Sequence, residues 1–192
     1  STKYTSLSQI NAGNFAELDI AWRWSSIDAE LDFEALLGPD VDISFGRLQA
    51  TPLMVDGVIY MLTALNQVAA LDAASGEMLW SHNPEVYMSG KPISPLGFRH
   101  RGVAWWGDGE KSRILVTTND GYIISLVAET GEVDPAFGGG RVDMTDGIPR
   151  ADRDSLDYSG AQPVGFLSGL WVSVIRAGGD FAGTDFHSCW HF

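Results

Sequence analysis

Ala50–Trp80, A-T-P-L-M-V-D-G-V-I-Y-M-L-T-A-L-N-Q-V-A-A-L-D-A-A-S-G-E-M-L-W, is the stretch that decides the fold. Its apolar runs are too short for helices, are rich in strand-forming residues and are separated by turn residues. Asp56-Gly57 suits a tight hairpin because both residues tolerate positive φ, and Asp72–Gly76 supplies a second reversal by the same chemistry. The predicted antiparallel strands are Leu53–Val55, Val58–Leu62, Val68–Leu71 and a fourth that begins at Met78.

This unit recurs further along the chain without a gap. A shift of 55 positions carries Gly76 onto Gly131, and the second copy has its own turn at Asn119-Asp120-Gly121. A four-stranded repeat of roughly fifty residues predicts propeller blades, since one such sheet cannot bury both faces alone. An immunoglobulin-like sandwich also has many short strands, but it gives no reason for a fixed offset. The other identities at this shift are Ile59/Ile114, Thr63/Thr118, Leu71/Leu126, Ala73/Ala128 and Glu77/Glu132.

The segment A-L-D-A-A-S-G-E-M-L-W, residues 70–80, resembles the tryptophan-docking motif of quinoprotein dehydrogenases. These are propeller enzymes that use pyrroloquinoline quinone (PQQ). The resemblance covers most of residues 1–165, with several motifs in family order. The other stretches that carry it are Thr2–Asn11, Leu18–Trp24, Gln49–Leu53, Arg101–Trp106 and Phe137–Val142.

The resemblance implies an all-β fold, a partial β-propeller with irregular loop insertions. We expect about two to three four-stranded blades of an eight-bladed ring, because at roughly fifty residues per blade the 192 residues hold only about three. Residues 1–165 are assigned to the amino-terminal blades, and a third blade is predicted to begin near Gln162. Leu18–Trp24 is predicted as a strand that lacks its partners here, because the amino-terminal strand of a closed ring commonly completes the last blade. Residues 166–192 are a divergent tail. A shifted reading frame, an error in gene prediction or divergence of a real blade would each explain it.

Two residues are candidates for binding the cofactor. Arg101, in the sequence R-G-V-A-W-W, matches the position at which the family places an arginine against the quinone edge. A guanidinium can donate paired hydrogen bonds to planar carboxylates and to quinone oxygens. The alternative interpretation of Arg101 is a surface arginine in a loop. Gln49 stands where many relatives carry a glutamate, and it keeps hydrogen-bonding capacity while losing the charge. The alternative interpretation of Gln49 is that it is an ordinary polar residue at the end of a strand.

Catalytic residues and metal ligands are not predicted within this chain. The family's calcium ligands and its catalytic aspartate are expected beyond the matching region, so the chain alone should not be a competent enzyme. The spacing of His187, Cys189 and His191 superficially suggests zinc, but it falls within the divergent tail and is taken as chance. Trp80 is predicted to wedge between blades rather than stack on a cofactor, because a docking tryptophan buries a large apolar area there.

The formal net charge of −13 argues against nucleic acid and anionic membrane surfaces as partners, since both would repel the chain. The resemblance instead implies an alcohol or sugar substrate, PQQ and calcium as cofactors, and a cytochrome or membrane quinone as electron acceptor. It also implies export to the periplasm.

Two other functional interpretations stay open at this point. One is a non-catalytic propeller that binds partners, like the outer-membrane assembly lipoproteins with similar blade repeats. The R-G-V-A-W-W context of Arg101 discriminates against it, because a scaffold does not need that stretch. The other is a misassembled product with no function of its own, whose exposed sheet edges would favour aggregation.

Overall fold

The computed structural model describes residues 7–39, 48–89, 98, 100–144 and 146, and the backbone of five short strands between residues 156 and 191. The predicted start of a third blade at Gln162 and most of the tail 166–192 lie outside the described residues. The five strands form a three-stranded antiparallel sheet, β10-β11-β13, and a pair, β9-β12. Their bounds are β9 Leu156–Asp157, β10 Gly165–Leu167, β11 Leu170–Val172, β12 Arg176–Ala177 and β13 Cys189–His191.

The first four-stranded sheet contains β1 to β4 in chain order, each antiparallel to the next. Asp56 and Gly57 have φ angles of 48° and 80°, so the predicted two-residue hairpin turn is confirmed. At the later reversal, the Asp72 carboxylate accepts the backbone N–H groups of Ala74 and Ser75. The strands are β1 Leu53–Val55, β2 Val58–Leu62, β3 Val68–Asp72 and β4 Met78–His82.

The second sheet repeats this order with β5 to β8. A shift of 55 positions carries β3 onto residues 123–127, which lie within β7. The repeat in the sequence is therefore a repeat in structure. The strands are β5 Ala104–Gly107, β6 Ser112–Thr117, β7 Tyr122–Val127 and β8 Arg141–Asp143.

Helical structure is limited to single turns in the described residues. Asp32 caps α1 (Phe33–Leu37) by accepting the N–H of Ala35. Leu18–Trp24, predicted as a strand without its partners, joins no ladder in the described residues. No helix in the described part of the chain is long and apolar enough to cross a membrane. The 3₁₀ turns are Phe15–Glu17, Ile27–Glu30, Val86–Ser89 and Gly138–Gly140.

The principal core lies between the two sheets. Alternate residues of β2 and β3 face alternate residues of β6 and β7, and nearly all of them are fully buried. Each sheet covers its other face with a smaller cluster. Ile59 and Leu71 pack against Trp22 and Trp24 on one side, and Leu115 packs with Ile123 on the other. The buried core residues between the sheets are Tyr60, Leu62, Val68, Ala70, Val103, Ile114, Val116, Ile124, Leu126 and Ala128.

Trp80 joins the sheets at their margin. Its indole N–H donates to the Ala128 carbonyl at 2.9 Å, and its ring lies against Gly131 so closely that a Cβ there would overlap it. This is the inter-blade position predicted for Trp80. Trp22 makes the same pair of contacts one sheet earlier, with a hydrogen bond of 3.1 Å to the Ala73 carbonyl and its ring on Gly76.

Replacing Gly131 by alanine should lower the free energy of unfolding by about 2 kcal/mol or more, because the added methyl group displaces the Trp80 indole from its packed position. Gly57→Ala is the matched control. Gly57 also has a positive φ, 80°, but a Cβ there meets no atom within 4 Å. Gly57→Ala should therefore lower the free energy of unfolding by only about 1 kcal/mol, from backbone strain alone. Urea unfolding of both variants separates the two effects. Equal losses would show that the ring contact contributes nothing.

Candidate functional site

The candidate site lies at one end of both sheets, the end at which β1 and β5 begin. The chain reaches this end again at the turns β2–β3 and β6–β7, because successive strands are antiparallel. We call it the upper edge. It comprises residues 49–52, 63–67, 98, 100–103 and 117–121.

The upper edge contains both residues predicted to bind a cofactor. Gln49 and Arg101 are each exposed. Thr51, two residues beyond Gln49, donates its backbone N–H to the Arg101 carbonyl at 3.0 Å and forms a parallel bridge with Gly102. The backbone thus brings the two segments together, and both side chains are exposed there.

Gly102 makes this approach possible. Its φ is 130°, which disfavours any side chain, and a Cβ there would lie 2.7 Å from the Thr51 carbonyl oxygen. A larger residue would push apart the starts of the two sheets. The glycine of the R-G pair is therefore a geometric requirement for placing Arg101 beside the Gln49 segment.

A buried carboxylate supports the first sheet's part of the upper edge. Asp28 is 3% exposed and accepts hydrogen bonds from Thr63 Oγ1 at 2.7 Å, from the Leu65 N–H at 3.2 Å and from Gln67 Nε2 at 2.8 Å. Both carboxylate oxygens are therefore occupied, as a buried charge requires. Asp28 ties the 25–31 segment to the β2–β3 turn and is structural.

His100, which precedes Arg101, is also buried at the upper edge. Its Nδ1 lies 3.4 Å from Thr117 Oγ1, and its Nε2 makes no hydrogen bond. Burial lowers the pKa of His100 from 6.5 to about 4, and the neighbouring Asn119 side chain offsets only part of that shift. The imidazole is consequently neutral at pH 7.

The described residues contain no group of three His, Cys, Asp or Glu side chains placed to hold a metal ion. What the upper edge offers is a cation with a planar hydrogen-bonding fork and a neutral amide. This donor set suits a flat ligand that carries carboxylates and carbonyl oxygens.

Two neighbouring four-stranded antiparallel sheets, repeated at a fixed offset and packed face to face, are blades of a β-propeller. The family model described as "PQQ: Glucose/ethanol/alcohol dehydrogenase, beta-propeller domain" matches residues 1–172. This chain belongs to that family.

Curated relatives agree with the assignment. Quinohemoprotein alcohol dehydrogenase ADH IIB of Pseudomonas putida is 38% identical over 130 residues, which are 68% of this chain and 16% of the relative. The dehydrogenase subunit of the alcohol dehydrogenase (quinone) of Gluconobacter oxydans is 33% identical over 131 residues, covering 68% of this chain and 15% of that protein. The chain thus matches about one sixth of the length of these relatives.

Solved structures show the same fold. The quinohemoprotein alcohol dehydrogenase of Comamonas testosteroni has a TM-score of 0.64 at 24% identity, over 97% of this chain and 25% of that one. A europium-containing methanol dehydrogenase has a TM-score of 0.60 at 22% identity, over 89% and 25% of the respective chains.

Sequence reasoning missed three features of the structure. The roles of His100 and Asn119 as buried polar residues had no sequence signal, since burial at a strand start depends on the neighbouring sheet. Trp22 did have one: Gly76 follows it by 54 positions, much as Gly131 follows Trp80 by 51.

Gly102→Ala should destabilise the chain by roughly 2–3 kcal/mol, because the methyl group meets a backbone carbonyl that cannot rotate away. Gly109→Ala is the control, since Gly109 has a similar φ of 94° with no atom within 4 Å of its Cβ position. Denaturant unfolding measures both. If Gly102→Ala costs no more than the control, the close approach of the two strands does not constrain position 102.

The stability of the chain should fall between about pH 6.5 and pH 4 as His100 titrates. The folded-state pKa is lower than that of the unfolded chain, so the unfolded state takes up the proton first. Stability is therefore complete above pH 6.5 and is lost as pH falls, by about 3 kcal/mol at full protonation.

Unfolding of the wild type and of His100→Phe, followed from pH 7.5 to 4.5, tests this dependence. The variant should lose most of the slope. Because burial also lowers the pKa of His82, His82→Gln is measured alongside to separate its contribution. An unchanged slope in His100→Phe would contradict the assignment.

Proposed function

We propose that this chain forms part of a PQQ-dependent dehydrogenase that oxidises an alcohol or a sugar. Membership of the family and the names of the relatives support the reaction class. The observation that carries the proposal is the pairing of Thr51 with Arg101 and Gly102, which unites two candidate cofactor segments at one end of adjacent blades. When bound, PQQ would supply the two-electron acceptor of the reaction.

Within this site Arg101 would hold the planar ligand through its guanidinium fork. A permanent positive charge at this position favours negative charge as it develops on a neighbouring oxygen. Gln49 would contribute one amide donor and one acceptor without adding a second charge. The catalytic aspartate and the calcium ligands are proposed to come from other segments, so no turnover is expected from this chain alone.

The remaining assignments follow from the same family. A cytochrome or a membrane quinone would receive the electrons; the names of two relatives, 1-butanol dehydrogenase (cytochrome c) and methanol dehydrogenase [cytochrome c] subunit 1, link those proteins to cytochrome c. We place the protein in the periplasm. The contacts of Trp22 and Trp80 support the proposal that residues 70–80 act as a tryptophan-docking motif.

Titration of the complete polypeptide containing this sequence with PQQ, in the presence of calcium, tests the proposal. The wild type should bind the quinone and reduce an artificial electron acceptor in the presence of a primary alcohol or a sugar. Arg101→Gln should weaken quinone binding at least about tenfold, the loss expected for a hydrogen-bonded charge.

Arg23→Gln provides the control, because it removes the same charge from an exposed arginine outside the upper edge. Its quinone affinity should match that of the wild type. A complete protein that binds no quinone and reduces no acceptor would instead favour the binding propeller.

A further inference from the structure

Buried polar side chains are concentrated at the upper edge. In the described residues nine polar or charged residues are buried, and all but Ser125 belong to this edge or bond to it. The rest of the interior between the sheets is apolar apart from the Tyr60 hydroxyl. Buried polar groups cost free energy unless they are hydrogen-bonded, so a cluster of them beside Arg101 is unfavourable for stability unless its members are paired. They are Asp28, Thr63, Asn66, Gln67, His100, Thr117, Thr118, Asn119 and Ser125.

Two of these buried polar residues, Asn66 and Thr117, contact residues that precede Arg101 in the chain. Asn66 Nδ2 donates to the Phe98 carbonyl at 3.3 Å, and Thr117 Oγ1 lies 3.4 Å from Nδ1 of His100. The Arg101 carbonyl itself accepts the Thr51 N–H. Contacts at Phe98, His100 and Arg101 therefore anchor the chain at the arginine.

These contacts come from both sheets. Asn66 belongs to the first sheet and Thr117 to the second. The Asn119 N–H donates to Asn66 Oδ1 at 3.2 Å and links the two turns directly. The position of Arg101 is thus coupled to the relative placement of both sheets.

The same cluster contains unmet hydrogen-bonding capacity. His100 is 4% exposed and Asn119 is 8% exposed, and Nε2 of the imidazole and both polar atoms of the Asn119 amide lack a hydrogen bond of good geometry, although the Asn119 side chain lies close enough to the imidazole to raise its pKa. Asp28 nearby, by contrast, is fully satisfied. A histidine kept only for stability would be better replaced by an apolar ring, because an unmet buried polar group costs about 1–3 kcal/mol.

We infer that His100 is a positioning residue for Arg101, acting through its Nδ1 contact with Thr117 of the second sheet. This inference rests on the proposed function, in which Arg101 binds the quinone. The buried imidazole holds the arginine backbone so that its guanidinium meets the ligand without rearrangement. Preorganisation of this kind raises affinity without touching the ligand.

Quinone affinity and unfolding free energy, measured on the complete polypeptide with PQQ and calcium, test the inference. His100→Phe keeps a ring and removes both nitrogens. It should weaken quinone binding about tenfold, the loss of one buried hydrogen-bonding group, and should be as stable as the wild type or more stable at pH 7. Lost stability with unchanged affinity would overturn the inference and mark His100 as structural.

Two smaller substitutions locate the effective atom. His100→Asn places an amide group near the Nδ1 position and should keep most of the affinity. His100→Gln reaches the Nε2 position instead and should bind as weakly as His100→Phe. The reverse order would overturn the assignment to Nδ1. If His100→Phe does not fold, the comparison of His100→Asn with His100→Gln tests the inference by itself.

A double-mutant cycle shows whether His100 acts through Arg101. His100→Phe combined with Arg101→Gln should bind no more weakly than Arg101→Gln alone, because the arginine is no longer there to be positioned. Additive losses would overturn the inference while leaving the proposed function intact. If Arg101→Gln itself leaves affinity unchanged, the proposed role of Arg101 fails, and the inference fails with it.

Discussion

The contact on which the architecture depends is the indole of Trp80 lying flat on Gly131. A four-stranded sheet of this size has two apolar faces and cannot bury both by itself. The indole adds a large apolar surface at the margin of the joint, and its N–H satisfies the Ala128 carbonyl, so apolar burial and a directional bond act together. Trp22 does the same for the first sheet through Ala73 and Gly76. The Trp80 wedge therefore holds the margins of the two described sheets together.

The two ends of the joint differ in chemistry. The tryptophan wedges contact the turns that follow β3 and β7, whereas the buried polar groups lie at the upper edge. An apolar wedge tolerates small shifts, but a hydrogen-bonded cluster does not, because its energy depends on distance and angle. One end thus contributes cohesion, and the other anchors the backbone at Arg101.

The second sheet modifies the repeat after β7. Pro135 occupies the position that corresponds to Trp80, and Phe137 is buried within its own sheet's cluster, next to Leu115 and Ile123. The same region carries an ion pair of 2.5 Å between Arg113 and Asp134, with the guanidinium lying 5.0 Å from the Trp106 ring centre. Backbone N–H donation from Ala136 lowers the pKa of Asp134, and the guanidinium of Arg113 adds to the shift. An anchored carboxylate and a stacked arginine thus stabilise this variant turn.

The strands could be predicted from sequence because their signals are local. Asp56-Gly57 favours one turn type, and short apolar runs between turns exclude helices, so β1 to β4 follow from residues that are neighbours in the chain. The fixed offset of 55 positions then predicted a second sheet of the same design. Leu18–Trp24 joins no ladder among the described strands, because a strand needs a partner and the strand predicted there was expected to lack its partners here.

The sequence by itself therefore determined the strands and their turns, and its resemblance to the family supplied Gln49 and Arg101 as candidates for binding a quinone. The tertiary structure decided that Gly102 must lack a side chain, that Trp22 is a second wedge and that His100 is neutral and buried. Each of these depends on atoms from the neighbouring sheet: the Thr51 carbonyl for Gly102, Gly76 for Trp22 and Thr117 for His100. Contacts between residues far apart in the chain exist only once the sheets have packed, so no local pattern records them.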